Sequence, residues 1–208
     1  MGTPNTVSPL LNGGSPYYLV NKSLRFRASA SAYMNRAFGT PTSTQKCTFS
    51  FWIKRGILAA NYPGIFTYNI ASNAGQTGIY FYPDDTFAFI SRPNGSTSIN
   101  LNFNTTQVFR DPSAWYNFII AIDTTQASSS NGFKMYVNGV QITSFGTSTY
   151  TQNTNINFTN GLSYQIGSET VNSRYFDGYL AEFNYIDGQQ LTPSSFGAFD
   201  TNGIWQPI

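Results

Sequence analysis

The sequence predicts an all-β chain folded as an antiparallel β-sandwich of jelly-roll type. Three observations lead there. Short runs of alternating apolar and polar residues recur along the chain, which is the period-2 mark of half-buried strands. Turn residues separate these runs at short intervals. No long segment shows a 3.6-residue apolar period, so no helix competes for the core. A length of 208 residues suits a single sandwich domain.

Residues 1–21 read as an extended arm and residues 22–208 as the domain. Pro4, Pro9 and Pro16, with Asn12-Gly13-Gly14, prevent regular structure in the arm. Its apolar Leu10, Leu11, Tyr17, Tyr18, Leu19 and Val20 need cover, either from the chain's own sheets or from a neighbouring subunit. The first strand is expected at Leu24, where Leu24 and Phe26 alternate with Arg25 and Arg27. Thr48 to Lys54 repeats the pattern, with Phe49, Phe51 and Ile53 on one face and Ser50 and Trp52 on the other. Further short strands are expected at 65–68, 79–82, 86–90 and 98–103, divided by turns such as Pro83-Asp84-Asp85 and Arg92-Pro93-Asn94-Gly95.

Trp115 to Asp123 is the longest apolar run. Tyr116, Phe118, Ile120 and Ile122 line one face, and Ile119 and Ala121 make the other face apolar too, so a central strand is expected. Phe133–Val137 and Val140–Ile142 flank Asn138-Gly139, the pair that supplies both positive φ values of a type I′ hairpin turn. Tyr175 to Gly188 holds a strand with an Asp-Gly turn at each end. Thr192 is placed to N-cap a helical turn with Pro193 in its first position.

Only 10% of the residues are charged, against roughly 25% in an ordinary soluble domain, and 17% are aromatic. Asn, Ser and Thr must therefore solvate most of the surface. The net charge is +2, and the basic residues are scattered rather than gathered into a stripe, which argues against nucleic acid as a partner. The single Cys47 rules out an internal disulfide and fits folding in a reducing cytosol. No apolar run approaches the length of a membrane span, and residues 1–21 lack the charged and apolar regions of a signal peptide. Asn-x-Ser/Thr sequons at Asn21, Asn94, Asn104 and Asn157 are what this composition produces by chance.

Three segments, taken in order, resemble the laminin-G-like, concanavalin A-like jelly-roll family. The first is Leu24-x-Phe26 followed by Thr48-Phe49-Ser50-Phe51-Trp52-Ile53-Lys54. The second is Trp115-Tyr116-Asn117-Phe118 through Asp123, then Met135-Tyr136-Val137-Asn138-Gly139-Val140. The third is Tyr164-Gln165-Ile166-Gly167, then Phe176-Asp177-Gly178-Tyr179-Leu180-Ala181-Glu182-Phe183. Tyr185-Ile186-Asp187-Gly188 and the ending Gly203-Ile204-Trp205-Gln206-Pro207 are similar to versions found on bacteriophage virions. The resemblance implies a fold that more often binds or builds than catalyses. It implies a non-enzymatic structural protein on the virion surface, as a capsid decoration or a fibre or adhesin component, made in the host cytoplasm. Its implied partners are other virion subunits, reached through the arm, copies of itself in a homo-oligomer, and cell-surface glycans. A free-standing lectin and a glycoside hydrolase are the alternatives.

Histidine is absent, which removes His-based triads, general bases and metal ligands. Cys47 reads as packing, and no phosphate-binding glycine loop is present. A glycoside hydrolase needs two carboxyl groups across the scissile bond. The chain has two glutamates, Glu169 and Glu182, and Glu182 shares its face with Leu180 and Asn184 rather than with a carboxylate. Catalysis is therefore not expected. Asp177 and Asp187 precede glycines, and their plain reading is turn formation through local backbone amides. The resemblance also makes them candidate Ca²⁺ ligands, the only cofactor in view. Glycan binding needs aromatic rings beside polar groups. Tyr80, Tyr82, Asp84, Asp85 and Arg92 form one candidate cluster, and Tyr175 with Asn172 and Arg174 another. With 14 Tyr and 18 Phe, such clusters also arise by packing alone.

Overall fold

A computed structural model of the chain describes residues 20–69, 75–93, 95–156, 163–169 and 172–208. Most of the expected arm, including Leu10, Leu11, Tyr17, Tyr18 and Leu19, lies outside the described residues, as do the sequon residues Asn94 and Asn157.

The strands in chain order are β1 (Leu24–Phe26), β2 (Met34–Ala37), β3 (Lys46–Arg55), β4 (Gly64–Asn69), β5 (Gln76–Phe81) and β6 (Thr86–Arg92). Then follow β7 (Leu101–Val108), β8 (Tyr116–Asp123), β9 (Phe133–Val137), β10 (Val140–Ile142), β11 (Phe145–Tyr150) and β12 (Ser163–Ile166). The last are β13 (Ser168–Glu169), β14 (Arg174–Tyr175), β15 (Gly178–Asp187), β16 (Gly197–Phe199) and β17 (Trp205–Pro207). One sheet of six strands has the order β1-β15-β3-β8-β9-β10, and one of seven has the order β11-β7-β6-β5-β4-β12-β2. β13 pairs with β14 and β16 with β17 in two small ribbons.

The two large sheets pack face to face through aromatic rings. Phe51 on β3 and Phe118 on β8 meet Phe87 on β6, and the Phe87 and Phe118 rings stack with centroids 3.9 Å apart. Phe103 on β7 stacks on Phe133 of β9 at 3.7 Å and 2° between planes. Each buried ring contributes about 1.5–3 kcal/mol by leaving water, and ring pairs add about 0.5–1.5 kcal/mol. β8 is central, as its two apolar faces predict, and pairs with β3 and β9.

The second apolar face of β8 has a specific cover. Residues 189–207 cross the outer side of the six-stranded sheet and place Trp205 against Ile119 and Tyr136. Trp205 Nε1 donates to Asn117 Oδ1 at 2.9 Å, and Asn117 Nδ2 donates to the Phe51 carbonyl at 3.2 Å. Thr48 Oγ1 donates to the Gln189 carbonyl and accepts from the Leu191 amide, both at 2.8 Å. Thr48 and Ser50 are buried on a face that alternation alone would leave wet.

Several expectations are corrected. Leu24 is 52% exposed, while Phe26, on the same face, is buried. β7 starts at Leu101 instead of Ser98 and runs on to Val108. Thr192 does not cap through its side chain. Its hydroxyl bonds Ser194 Oγ at 2.9 Å, and Pro193–Ser195 is a single 3₁₀ turn. A bulge between Ala181 and Asn184 interrupts the β15–β3 ladder, with Glu182 at φ 48°, so Glu182 does not simply share a face with Leu180 and Asn184. The Asn138-Gly139 turn is as expected, with φ values of 48° and 76°.

Candidate functional site

Cross-strand partners share a face of a pleated sheet. In the seven-stranded sheet, Phe66, Ile79, Phe89 and Phe103 form one rank of partners, and they point into the core. The neighbouring ranks therefore point outward. One is Thr67, Gly78, Ile90, Asn102 and Thr149. The other is Tyr80, Ala88, Asn104 and Thr147. Gln76 and Arg92 pair one step along on the same face. This face is made of hydroxyls, amides and small residues, with tyrosines at one side.

Gly78 makes room for Tyr80. A Cβ at Gly78 would overlap the Tyr80 ring, so the phenol lies back over the strand. Gln76 Nε2 donates to the Tyr80 hydroxyl at 2.7 Å, and Arg92 donates to Gln76 Oε1 at 2.6 Å. Burial pushes the Tyr80 phenol well above its ordinary pKa, against the smaller downward pull of the Gln76 bond, so it stays protonated. The β13–β14 ribbon stands beside this chain of bonds. Arg174 lies 3.6 Å from Glu169, and Asn172 Nδ2 donates to Glu169 at 2.8 Å. The Arg174 guanidinium sits over the Tyr62 ring at 4.9 Å, and Tyr62 meets Tyr82 edge-on at 4.9 Å. Tyr175 faces Tyr33 at 6.4 Å.

Four buried polar atoms on these residues make no hydrogen bond among the described residues: Arg92 Nε, Arg174 Nε, Asn102 Oδ1 and Asn104 Oδ1. Each such atom costs about 1–3 kcal/mol if left dry. All four residues are partly exposed, so rotation of a side chain brings donors and acceptors to a bound partner or to water.

The two clusters expected from the sequence are neighbours: Glu169 and Arg174 lie near enough to Tyr80 to act on its phenol. Gln76 joins Tyr80 to Arg92, Tyr62 meets Tyr82, and Tyr175 lies on the β13–β14 ribbon. Two of the candidates are placed otherwise than expected. Tyr80 is buried and acts as a support rather than a stacking platform. Asp85 is buried, and although its amide donates to the Tyr82 carbonyl, its carboxylate turns to Arg55 and Arg110 at 2.8 and 3.0 Å. Asp84 closes its own turn by accepting from the Thr86 amide and hydroxyl. Asn102, Asn104, Thr147, Thr149 and Tyr62 were missed. The alternation Leu101-Asn102-Phe103-Asn104 does signal outward amides, but nothing local says that they stay partly exposed while Ala88 and Ile90 on the same face are buried.

The aspartates before glycine do not bond local amides. Asp177 accepts from Arg25 at 2.8 Å and from the Ala28 amide at 3.1 Å. Asp187 accepts from the Thr42 and Ser43 amides. Each carboxylate clamps a distant segment onto β15. Their oxygens already face N–H donors, which repel a cation, and no group of three His, Cys, Asp or Glu able to hold a metal exists among the described residues. Cys47 is fully buried, and burial, with Asp187 nearby, pushes its thiol up, so it packs as expected. Glu169 and Glu182 belong to different sheets.

A two-layer antiparallel sandwich of this kind defines a class in which binding modules and hydrolases share one scaffold. Residues 28–195 match the sequence profile of the concanavalin A-like lectin/glucanases superfamily, and the chain belongs to that family. Among solved structures, domains LG4-5 of the mouse laminin α1 chain superpose with a TM-score of 0.56 at 9% identity, covering 84% of this chain and 43% of that one. The LG1-3 region of the laminin α2 chain gives 0.52 at 12% identity, covering 81% and 32%. A pentraxin from Limulus polyphemus gives 0.49 at 16% identity, covering 74% and 68%. The chain spans less than half of each laminin structure. No curated protein matches the sequence. No helix among the described residues is long and apolar enough to cross a membrane.

Proposed function

We propose that this chain is a non-enzymatic glycan-binding module that uses the outer face of its seven-stranded sheet. The observation behind this reading is the set of four unsatisfied donors and acceptors on Arg92, Asn102, Asn104 and Arg174, residues that are all partly exposed. Sugar hydroxyls donate and accept at short spacing, which is what such a face can satisfy. Tyr62 and Tyr82 at its edge offer rings for the apolar side of a pyranose. The separation of Glu169 and Glu182 supports binding over hydrolysis. The test is a glycan array with the full chain, followed by titration of the best binder against Asn102→Ala and Arg92→Ala. At least tenfold weaker binding with unchanged melting supports the reading. Binding untouched by both substitutions overturns it.

The biological setting we propose is the surface of a bacteriophage particle, with homo-oligomeric display and attachment through residues 1–12. Support comes from the low charge, the single buried Cys47 and the resemblance of 185–188 and 203–207 to virion proteins. Mass spectrometry of purified particles should find the chain. A chain lacking residues 1–12 should fold and bind glycan but fail to incorporate. Normal incorporation of that variant rules out the arm as the attachment device.

A further inference from the structure

The opposite sheet carries a partly exposed aromatic surface. Residues 189–207 cover only part of its outer side: Trp52 is half-buried against the Trp205 cluster, and Trp115 and Tyr179 stand further out. Trp52 pairs across the sheet with Ala181 and Asn117, so its indole projects on the outer side. Trp115 is 37% and Tyr179 38% exposed, with ring centroids 6.3 Å apart. A hollow of about 310 Å³ opens between Trp52 and Trp115, with Asn21, Lys22 and Gln206 in its wall.

The wall chemistry is selective. Two indoles offer flat apolar faces. Two primary amides donate and accept. One ammonium is present, and no carboxylate lines the hollow. The charged groups around it are largely committed. Arg25 lies over the Tyr179 ring at 4.9 Å and pairs with Asp177. Lys54 lies close enough to Asp111 to help hold that carboxyl below its ordinary pKa, after the Ser113 hydrogen bonds. Glu182 borders the adjoining groove, where Lys22 also contributes, and not this hollow. None of the ion pairs among the described residues uses Lys22.

We propose that the hollow between Trp52 and Trp115 is a second carbohydrate subsite that takes an acidic pyranose. The ring's C–H face stacks on the indoles, the hydroxyls meet the Asn21 and Gln206 amides, and the carboxylate pairs with Lys22. Exposed aromatic surface rimmed by polar groups is the general mark of such a site. The subsite lies on the other sheet from the Asn102–Asn104 face and stands or falls separately from it.

Tryptophan emission reads this directly, because Trp205, the third tryptophan, is buried against Ile119 and Tyr136. The full chain is titrated with trigalacturonic acid and, separately, with neutral galactotriose. The acidic sugar should shift the emission, with the neutral one at least tenfold weaker. Lys22→Gln should erase that preference, Trp115→Ala should weaken binding at least tenfold, and Asn102→Ala should change neither. No shift at millimolar sugar, as when residues before Val20 or a protein partner fill the hollow, overturns the proposal. Equal affinity for both sugars, or a loss caused by Asn102→Ala, overturns it as well.

Discussion

The Asp85 carboxylate lies 2.8 Å from the Arg55 guanidinium, with both side chains buried at one end of the sandwich. Asp85 also accepts from the Ala59 amide at 2.7 Å and from Arg110 at 3.0 Å. Arg55 donates to the Phe109 carbonyl and lies over the Phe81 ring at 4.1 Å. The pair ties β3, the turn before β6 and the segment after β7 together. Burial opposes ionisation of Asp85, but its donors outweigh that effect and hold the carboxyl below its ordinary pKa.

Removing one partner strands the other. Asp85→Asn keeps a residue that tolerates the observed φ of 67° but deletes the charge opposite Arg55. A loss of about 3 kcal/mol is expected, read as a lower urea midpoint. Arg110→Ala, whose side chain is 60% exposed, should cost under about 1 kcal/mol. Equal effects from the two variants would show that burial does not decide the strength of this network.

Gly139 has two reasons to be glycine. Its φ is 76°, and a Cβ there would overlap the Trp205 ring. Gly139→Val should destabilise by more than about 1 kcal/mol from strain alone, and further through displaced packing. Thermal melting reads the sum. If Gly139→Val with Trp205→Ala melts no lower than Trp205→Ala alone, the strain does not operate; if Gly139→Val alone melts no lower than the parent chain, neither does the clash.

Asp123 makes stability pH-dependent. Its burial raises the carboxyl pKa, but bonds from Thr125, Gln126 and Lys46 outweigh this and bring it down to about 2. Because the folded value lies below the unfolded one, the stabilisation is full above roughly pH 4. It falls away as the pH drops through 2. Roughly 2 kcal/mol should vanish across that window in acid titration followed by urea unfolding. Asp123→Asn should flatten that part of the curve, and an unchanged slope would contradict the assignment.

Hydrolysis should be absent. Glu169 is buried beside Asn172 and Arg174, and Glu182 lies on the other sheet at a bulge. Incubation with laminarin, agar and bacterial surface polysaccharides should release no reducing ends. Turnover that disappears in Glu182→Gln would show that the chain is an enzyme.

Much of the architecture was legible because alternation and turn chemistry are local. Phe49-x-Phe51-x-Ile53 could bury one face only as a strand, and Asn138-Gly139 could reverse the chain only as a tight turn. β2 escaped notice because its four side chains are all exposed, so no periodicity marks it. Glu182 was misplaced because a bulge shifts alternation without announcing itself in the residues.

The composition and pattern of the chain determined that it would be an aromatic-cored antiparallel sandwich, because burial of rings at every second position leaves few other solutions. Which surfaces stay open was settled only by the folded chain. Residues 189–207 cover Ile119 and leave Trp52 half-buried at their edge, and the β13–β14 ribbon carries Arg174 to Tyr62. Asp85 reads from the sequence as a turn residue in a glycan cluster, and Asp177 as a local turn former. Their partners Arg55 and Arg25 stand 30 and 152 positions away. Contacts across such separations depend on strand order and register, which no local pattern of residues encodes.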